Sequence, residues 1–326
     1  MNVTILGAGG WGTALGLVLE DGKHQVTLWG HRRELLDEIA SEAENRKYLP
    51  GVSLPKTWVL QPDLKQAIAD KEMLVVAVPS KAIRQVGEQL GSFRGTIVSV
   101  TKGIENESGL TMCALLESLL PNVRVAALTG PTLAPEVARR IPSAIVAAAT
   151  DSEIVEQVQA LFHRPYFRVY AGKDRLGVEL GGALKNVIAI GAGVCDGLGF
   201  GDNSKAALIT RAIAEMRRIG VACGAQPETF SGLSGLGDLT VTCFSKLSRN
   251  RHFGERVGKG EAVDAIVSST NTIAEGYPTA RSAYHLAEKL GVDAPIIREV
   301  YEMLYHGKNV RQALADLVTR SSKYED

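Results

Sequence analysis

Cysteine is scarce in this chain. The four residues Cys113, Cys195, Cys223 and Cys243 are dispersed over 326 positions, with no metal-type spacing. That excludes a disulfide framework and a zinc module, so no metal site is expected. A reducing compartment fits best, and a cytoplasmic location is expected. Net charge is also missing: 36 Lys and Arg balance 36 Asp and Glu. No global field therefore argues for nucleic acid or an anionic membrane as a partner. No apolar run reaches the ~18 residues that would suggest a membrane span. Met1 leads almost directly into the apolar run Val3 to Leu6, so no signal peptide is expected. The glycosylation-like triplets Asn2-Val3-Thr4 and Asn106-Glu107-Ser108 are then chance matches.

What is present is patterned. Hydrophobic residues make up 45% of the chain and charged residues 22%, as in an ordinary globular protein. The length allows one large domain or two smaller ones. The first half alternates short β-rich runs with helical spacing. The runs are VTILG (3–7), QVTLWG (25–30), MLVVAVPS (73–80), TIVSVTKG (96–103), VRVAALTGP (123–131) and SAIVAAA (143–149). Helical stretches such as Trp11 to Glu20 and Lys81 to Leu90 lie between them. This alternation predicts an α/β domain with a parallel sheet covered by helices on both faces. Runs such as VVAV are apolar without alternation, as strands buried on both faces must be. After about residue 175 helical signals dominate: Leu176 to Val194, Ser204 to Cys223, Thr279 to Leu290 and Ile296 to Tyr305. A second, all-helical domain is expected there.

The segment Gly7-Ala8-Gly9-Gly10-Trp11-Gly12 fits G-x-G-x-x-G. It follows a predicted strand and opens a predicted helix, the context that gives the pattern meaning. Gly7 would permit the tight turn, Gly9 the approach of a pyrophosphate, and Gly12 close packing of helix on strand. The helix N-terminus would offer N–H groups to the phosphates. The bland alternative is a glycine-rich turn with no ligand. About 20 residues further on, an NAD site usually carries an acid for the ribose hydroxyl. Here stand His31, Arg32 and Arg33, with Glu34 beside them. Arginine binds phosphate bidentately, so NADP(H) is preferred and NAD(H) remains possible. A solvated basic helix start is the competing reading.

Ligands of open α/β sheets bind at the carboxyl ends of strands. Three such ends carry suggestive residues: Pro79-Ser80, Thr101-Lys102-Gly103 and Gly130-Pro131-Thr132. Lys102 could hold a phosphate or polarise a carbonyl, although lone lysines are usually surface decoration. The stretch 178–201 reads as a helix nearly free of charge between Glu179 and Asp196, interrupted by Lys185 and Asn186. Its glycines cost up to ~1 kcal/mol each, and small residues let something approach closely. Lys185 shares a face with Gly181 and Ala189. Apolar surroundings would lower its pKa, which suits a proton donor near neutral pH. A snorkelling lysine or a structural ion pair is the alternative. A ketone accepting hydride develops alkoxide charge that a held lysine can neutralise. Asp238, flanked by Gly235, Gly237 and apolar residues, is a candidate to hold it, or simply a helix cap. Ser248-Arg249-Asn250-Arg251 offers a hydroxyl, an amide and two guanidiniums, suited to a small phosphorylated substrate if it caps a helix.

With these residues in view, the chain resembles the bacterial NAD(P)-dependent glycerol-3-phosphate dehydrogenases. The resemblance covers essentially the whole chain, through GAGGWGTALG (7–16), VTKGIE (100–105), TGPTLAPEVA (129–138), GGALKNVIAIGAGVCDGLGFGDN (181–203), SGLGDLTVTC (234–243), SRNRHFG (248–254) and AEGYPTA (274–280). It implies a doubly wound Rossmann domain over 1–175 followed by a helical substrate and catalytic domain over 176–326. It implies reversible reduction of dihydroxyacetone phosphate to sn-glycerol 3-phosphate, the glycerophospholipid backbone. Lys185 would be the proton donor and acceptor, in a catalytic set with Asp238, Lys102 and Asn186. Lys102, Gly130, Thr132, Asp238, Ser248, Arg249 and Asn250 match substrate positions, and Lys102 and Arg249 also lie near the cofactor in the family. Gly10, Trp11, His31, Arg32, Ala134, Ile273 and Glu275 match cofactor positions. Ala134, Ile273 and Glu275 rest on the resemblance alone. Leu133 departs from the aromatic residue more usual after this Gly-Pro-Ser/Thr run. Family members usually dimerise through the helical domain, so a homodimer is expected. Two other readings compete: a related dehydrogenase of a hydroxy acid or phosphogluconate, and a dinucleotide sensor without chemistry. A sensor would predict decay at Lys185 or Asp238, and both residues are present.

Overall fold

The structure is a computed structural model that describes residues 1–91, 93–269 and 274–321. The chain divides into two compact units, Met1–Glu105 with Leu110–Glu179, and Asn106–Gly109 with Leu180–Asp326.

The first unit is built on eight strands: β1 (Asn2–Leu6), β2 (Gln25–Trp29), β3 (Val59–Gln61), β4 (Met73–Val76), β5 (Thr96–Ser99), β6 (Arg124–Thr129), β7 (Ser143–Ala149) and β8 (Phe167–Gly172). Seven helices accompany them: α1 (Gly10–Asp21), α2 (Arg33–Glu42), α3 (Leu64–Ile68), α4 (Ile83–Gln89), α5 (Met112–Leu119), α6 (Ala134–Ala138) and α7 (Ser152–Phe162). The strand order is β3-β2-β1-β4-β5-β6-β7-β8. The first six strands in that order run parallel, the doubly wound arrangement the alternating pattern predicts. Apolar strand residues feed two cores. Val3, Ile5, Val75, Val98 and Leu128 pack on one face with Phe162 and Phe167. Leu6, Leu74, Val76, Ile97 and Ala127 pack on the other with Leu116. Fully burying side chains of this size stabilises by roughly 1.5–3 kcal/mol each.

Three features differ from expectation. The strand β7 pairs antiparallel with β6, so the sheet is not parallel throughout. The strands β3 and β8 carried no clear signal. The first has only three residues, with none fully buried. The second alternates buried and exposed positions at its start, with Tyr170 exposed, because it forms the sheet edge beside β7.

The second unit is helical: α8 (Arg175–Gly197, which begins in the first unit), α9 (Asp202–Ala222), α10 (Asp238–Phe244), α11 (Arg249–Gly258), α12 (Val263–Ser269), α13 (Gly276–Leu290), α14 (Pro295–Tyr305) and α15 (Val310–Val318). The helix α8 is long and apolar enough to cross a membrane by length and composition, which the run-length reading of the sequence did not register. Within the protein, 94% of that apolar window is buried, so protein covers its apolar faces. Glycines on α8 and α11 explain how. A Cβ on Gly193 would stand 1.9 Å from the Arg251 carbonyl oxygen, and one on Gly254 would stand 1.9 Å from the Ile190 carbonyl oxygen. Helices α8 and α11 therefore cross backbone against backbone. Aromatic residues gather on α13 and α14, where Tyr284 stacks on Tyr301 at 4.1 Å and Tyr277 on Tyr305 at 5.0 Å. The Glu215 carboxylate of α9 caps α14, accepting from the N–H groups of Ile296 at 2.8 Å and Ile297 at 3.2 Å.

Candidate active site

In the first unit the glycine loop connects β1 to α1. Gly7 has φ +127, and a Cβ there would lie 2.7 Å from the Ala77 carbonyl oxygen, so only glycine makes this turn. A Cβ on Gly12 would lie 2.1 Å from the Gly7 carbonyl oxygen, which is the close helix-on-strand packing expected of the third glycine. Gly9 opens onto free space among the described residues, and as the N-cap of α1 it offers no side chain to the first N–H groups. A backbone donor set left open at a helix N-terminus suits a pyrophosphate. Asn45, which the sequence reading passed over, pins this loop. It is 1% exposed, and its Nδ2 donates to the Ala8 carbonyl at 3.1 Å and to Thr13 Oγ1 at 2.8 Å. Trp11 places its ring against Phe167, so its side chain serves the core, and the N–H groups of the helix start are left to face a ligand.

At the end of β2, His31 is exposed and Arg32 half-buried. The Arg32 guanidinium donates to the Tyr48 hydroxyl and lies 5.7 Å from the centre of the Tyr48 ring. Among the described residues its buried Nε has no hydrogen-bond partner. A buried cationic donor left open fits an anionic group on a nucleotide. Tyr48 carried no recognisable signal in the sequence.

The ends of β5 and β6 meet. Lys102, half-buried after β5, donates from Nζ to the Gly130 carbonyl at 3.2 Å, and Thr132 Oγ1 donates to the same oxygen at 3.2 Å. Lys102, Gly130 and Thr132 therefore form one cluster. Ala134, at the start of α6, lies beside the glycine loop, its Cβ 3.9 Å from where a Cβ on Gly10 would stand.

In the second unit Lys185 is 6% exposed and Asp238 1% exposed. Lys185 Nζ lies 2.9 Å from Asp238 Oδ1 and donates to Thr242 Oγ1 at 2.6 Å. Thr242 in turn donates to the Asp238 carbonyl oxygen at 2.6 Å. The lysine therefore sits in a buried ion pair and is not surrounded by apolar groups alone, which corrects the environment expected from the sequence. The close approach at Gly181 is also made by protein: a Cβ there would be 2.7 Å from the Ser234 carbonyl oxygen. Asp238 does not cap its helix with its side chain; Gly237 holds the N-cap position of α10. Thr242 was missed, although its place four residues after Asp238 puts both on one face of α10.

Asn186 and Asn250 also meet. Asn250 Nδ2 donates to Asn186 Oδ1 at 2.8 Å, and Asn250 Oδ1 accepts from the Gly276 N–H at 2.8 Å. Both ends of the Asn250 amide thus tie α8, α11 and α13 together. Ser248 caps α11, its Oγ accepting from the Arg251 N–H at 3.2 Å. Arg249 is exposed at the start of that helix. Arg251 turns instead to Asp196, 2.6 Å away, while His252 is exposed. Glu275 is half-buried at the start of α13, and Ile273 lies outside the described residues. All four cysteines are free thiols, and burial raises the pKa of each, that of Cys243 to about 12, which disfavours the reactive thiolate.

Comparisons with known proteins agree over the whole chain. Residues 2–155 match the family described as NAD-dependent glycerol-3-phosphate dehydrogenase N-terminus, and residues 174–315 match the corresponding C-terminus. The chain is 47% identical to a glycerol-3-phosphate dehydrogenase (NAD(P)+) of Chlorobium limicola, over 100% of this chain and 99% of that one. It is 48% identical to the enzyme of the same name from Chlorobium luteolum, with the same coverage. The crystal structure of glycerol-3-phosphate dehydrogenase from Coxiella burnetii superposes with a TM-score of 0.94 at 35% identity, over 98% of this chain and 99% of that one. The chain belongs to the NAD-dependent glycerol-3-phosphate dehydrogenase family.

Proposed function

We propose that the protein interconverts dihydroxyacetone phosphate and sn-glycerol 3-phosphate with NAD(P)H, supplying the glycerophospholipid backbone. The observation that carries this is the buried Lys185–Asp238–Thr242 arrangement, within a chain whose relatives bear that activity in their names. The dinucleotide, when bound, supplies or accepts the hydride. The residues of residues 1–175 hold it: the N–H groups of Gly10, Trp11 and Gly12, with Arg32 and His31 at the ribose end. The orphaned Nε of Arg32 and the absence of an acid favour a 2′-phosphate, hence NADP(H) over NAD(H).

Residues 176–326 supply the proton. The Lys185 ammonium protonates the carbonyl oxygen as it gains charge during reduction, and the same amine takes the proton from the alcohol in the reverse direction. Asp238 pairs with the ammonium and aims it, and Thr242 fixes a second of its three donor directions. The capped N-terminus of α11 binds the substrate phosphate, with Ser248 and Arg249 as donors. Lys102, Gly130 and Thr132 contribute to substrate, Ala134 and Glu275 to cofactor. Asn186 and Asn250 support the lysine helix, since their amides are already engaged with one another. A cytoplasmic homodimer completes the proposal, to be checked by light scattering.

The test is oxidation of NADPH on adding dihydroxyacetone phosphate. Turnover that is lost in Lys185→Ala while NADPH still binds supports the proposal. No turnover by the folded wild type overturns it.

A further inference from the structure

A small cavity lies beneath Lys102, lined by Ser99, Thr101, Lys102, Ala127, Leu128, Thr129 and Glu179. Its volume of about 10 Å³ is close to the minimum that admits one water molecule. Two of its polar groups stand out. Ser99 is 3% exposed and Thr129 is 5% exposed, and neither hydroxyl has a hydrogen-bond partner among the described residues. Buried hydroxyls left unpaired cost free energy. They close the ends of adjacent strands, Ser99 on β5 and Thr129 on β6.

The third polar group is the Glu179 carboxylate, also buried. It accepts from the Cys113 N–H at 2.8 Å and from the Thr111 hydroxyl at 3.1 Å, and Arg175 Nε lies 3.9 Å away. Burial outweighs these donors and raises its pKa, so a further donor would stabilise the ionised carboxylate. One water would satisfy all three groups. It would accept from the two hydroxyls and donate to the carboxylate, within the two to four partners such a water needs.

We propose that a resident water bridges Ser99, Thr129 and Glu179, and that this bridge positions Lys102. Ser99 precedes Lys102 by three residues, and Thr129 precedes Gly130, whose carbonyl holds the Lys102 ammonium at 3.2 Å. Pinning both strand ends fixes the lysine and its acceptor together. Ser99, Thr129 and Glu179 are then positioning residues. The part concerning Lys102 rests on the reaction proposed above; the water does not.

Two measurements test this. A crystal structure of the wild-type enzyme at a resolution that shows buried waters is expected to show one water within hydrogen-bond distance of Ser99 Oγ, Thr129 Oγ1 and Glu179. A cavity without it overturns the proposal, whatever the enzyme turns over. The second is a double-mutant cycle with dihydroxyacetone phosphate as the varied substrate. Ser99→Ala and Thr129→Val are each expected to raise KM about five-fold, the effect of losing one hydrogen bond, with the NADPH dissociation constant unchanged. Thr129→Ser is expected to restore KM. In a Lys102→Ala background neither substitution changes KM further, because the group they position is gone. Unchanged KM in the single variants, or the same penalty with and without Lys102, overturns the positioning role. If the wild type shows no turnover, the reaction proposal fails, and the crystallographic result still decides the water.

Discussion

Lys185 illustrates how much a single side chain depends on its neighbours. A buried ammonium is costly unless paired, and removing one partner of a buried pair leaves the other uncompensated. Lys185→Ala is therefore expected to lower thermal stability as well as kcat. The fall in kcat should be about 10²–10⁴-fold, the range for losing a general acid, with NADPH affinity retained. Thr242→Val keeps the shape and removes one acceptor of the lysine, 2.6 Å away. Its kcat is expected to drop about ten-fold with little change in KM, measured by steady-state kinetics. At the other end of the reaction, Arg32→Asp places a carboxylate where a 2′-phosphate would bind. The kcat/KM ratio for NADPH over NADH should fall at least about ten-fold. An unchanged ratio would mean that the basic residues after β2 do not select the cofactor.

Among the elements, α8 shows best what was legible in the sequence and what was not. Its helical period, its small residues and its isolated lysine could all be read directly. What the small residues approach could not, because Arg251 and Ser234, the partners of Gly193 and Gly181, come from contacts that sequence spacing does not encode. The pairing of Asp238 with Lys185 was readable only as a candidate, and Thr242 and Tyr48 gave no distinctive signal. Gly254→Ala tests the crossing of α8 and α11. The added methyl would lie 1.9 Å from a backbone carbonyl that cannot rotate away. A loss of about 1–3 kcal/mol or more is expected, read as a lower urea midpoint with unchanged slope. Helix α14 carries a pH dependence. Burial pushes Glu215 up to about 7 from an ordinary 4.5. Between those values the folded state holds a proton that the unfolded chain releases, so this group's stabilisation is full below pH 4.5 and is lost as pH rises to 7. The loss is about 3 kcal/mol. Glu215→Gln should flatten that slope in thermal melts across the interval.

For the whole molecule, the sequence was most informative where burial was most uniform. The parallel strands β1, β4, β5 and β6 are nearly continuous apolar runs, and all were recognised along with β2. The edge strands β3 and β8 were not, since one is too short and the other half exposed to carry a distinct pattern. The reversal of β7 left no local trace because strand direction is set by the connection and not by composition. The two halves of the chain carry different parts of the proposed chemistry: a dinucleotide loop in one, a buried proton donor in the other. Neither half names the reaction alone. The most direct test is therefore the absorbance of NADPH in the presence of dihydroxyacetone phosphate, wild type against Lys185→Ala. Oxidation by the wild type and none by the NADPH-binding variant is the expected result. Equal oxidation by both proteins would contradict Lys185 as the proton donor.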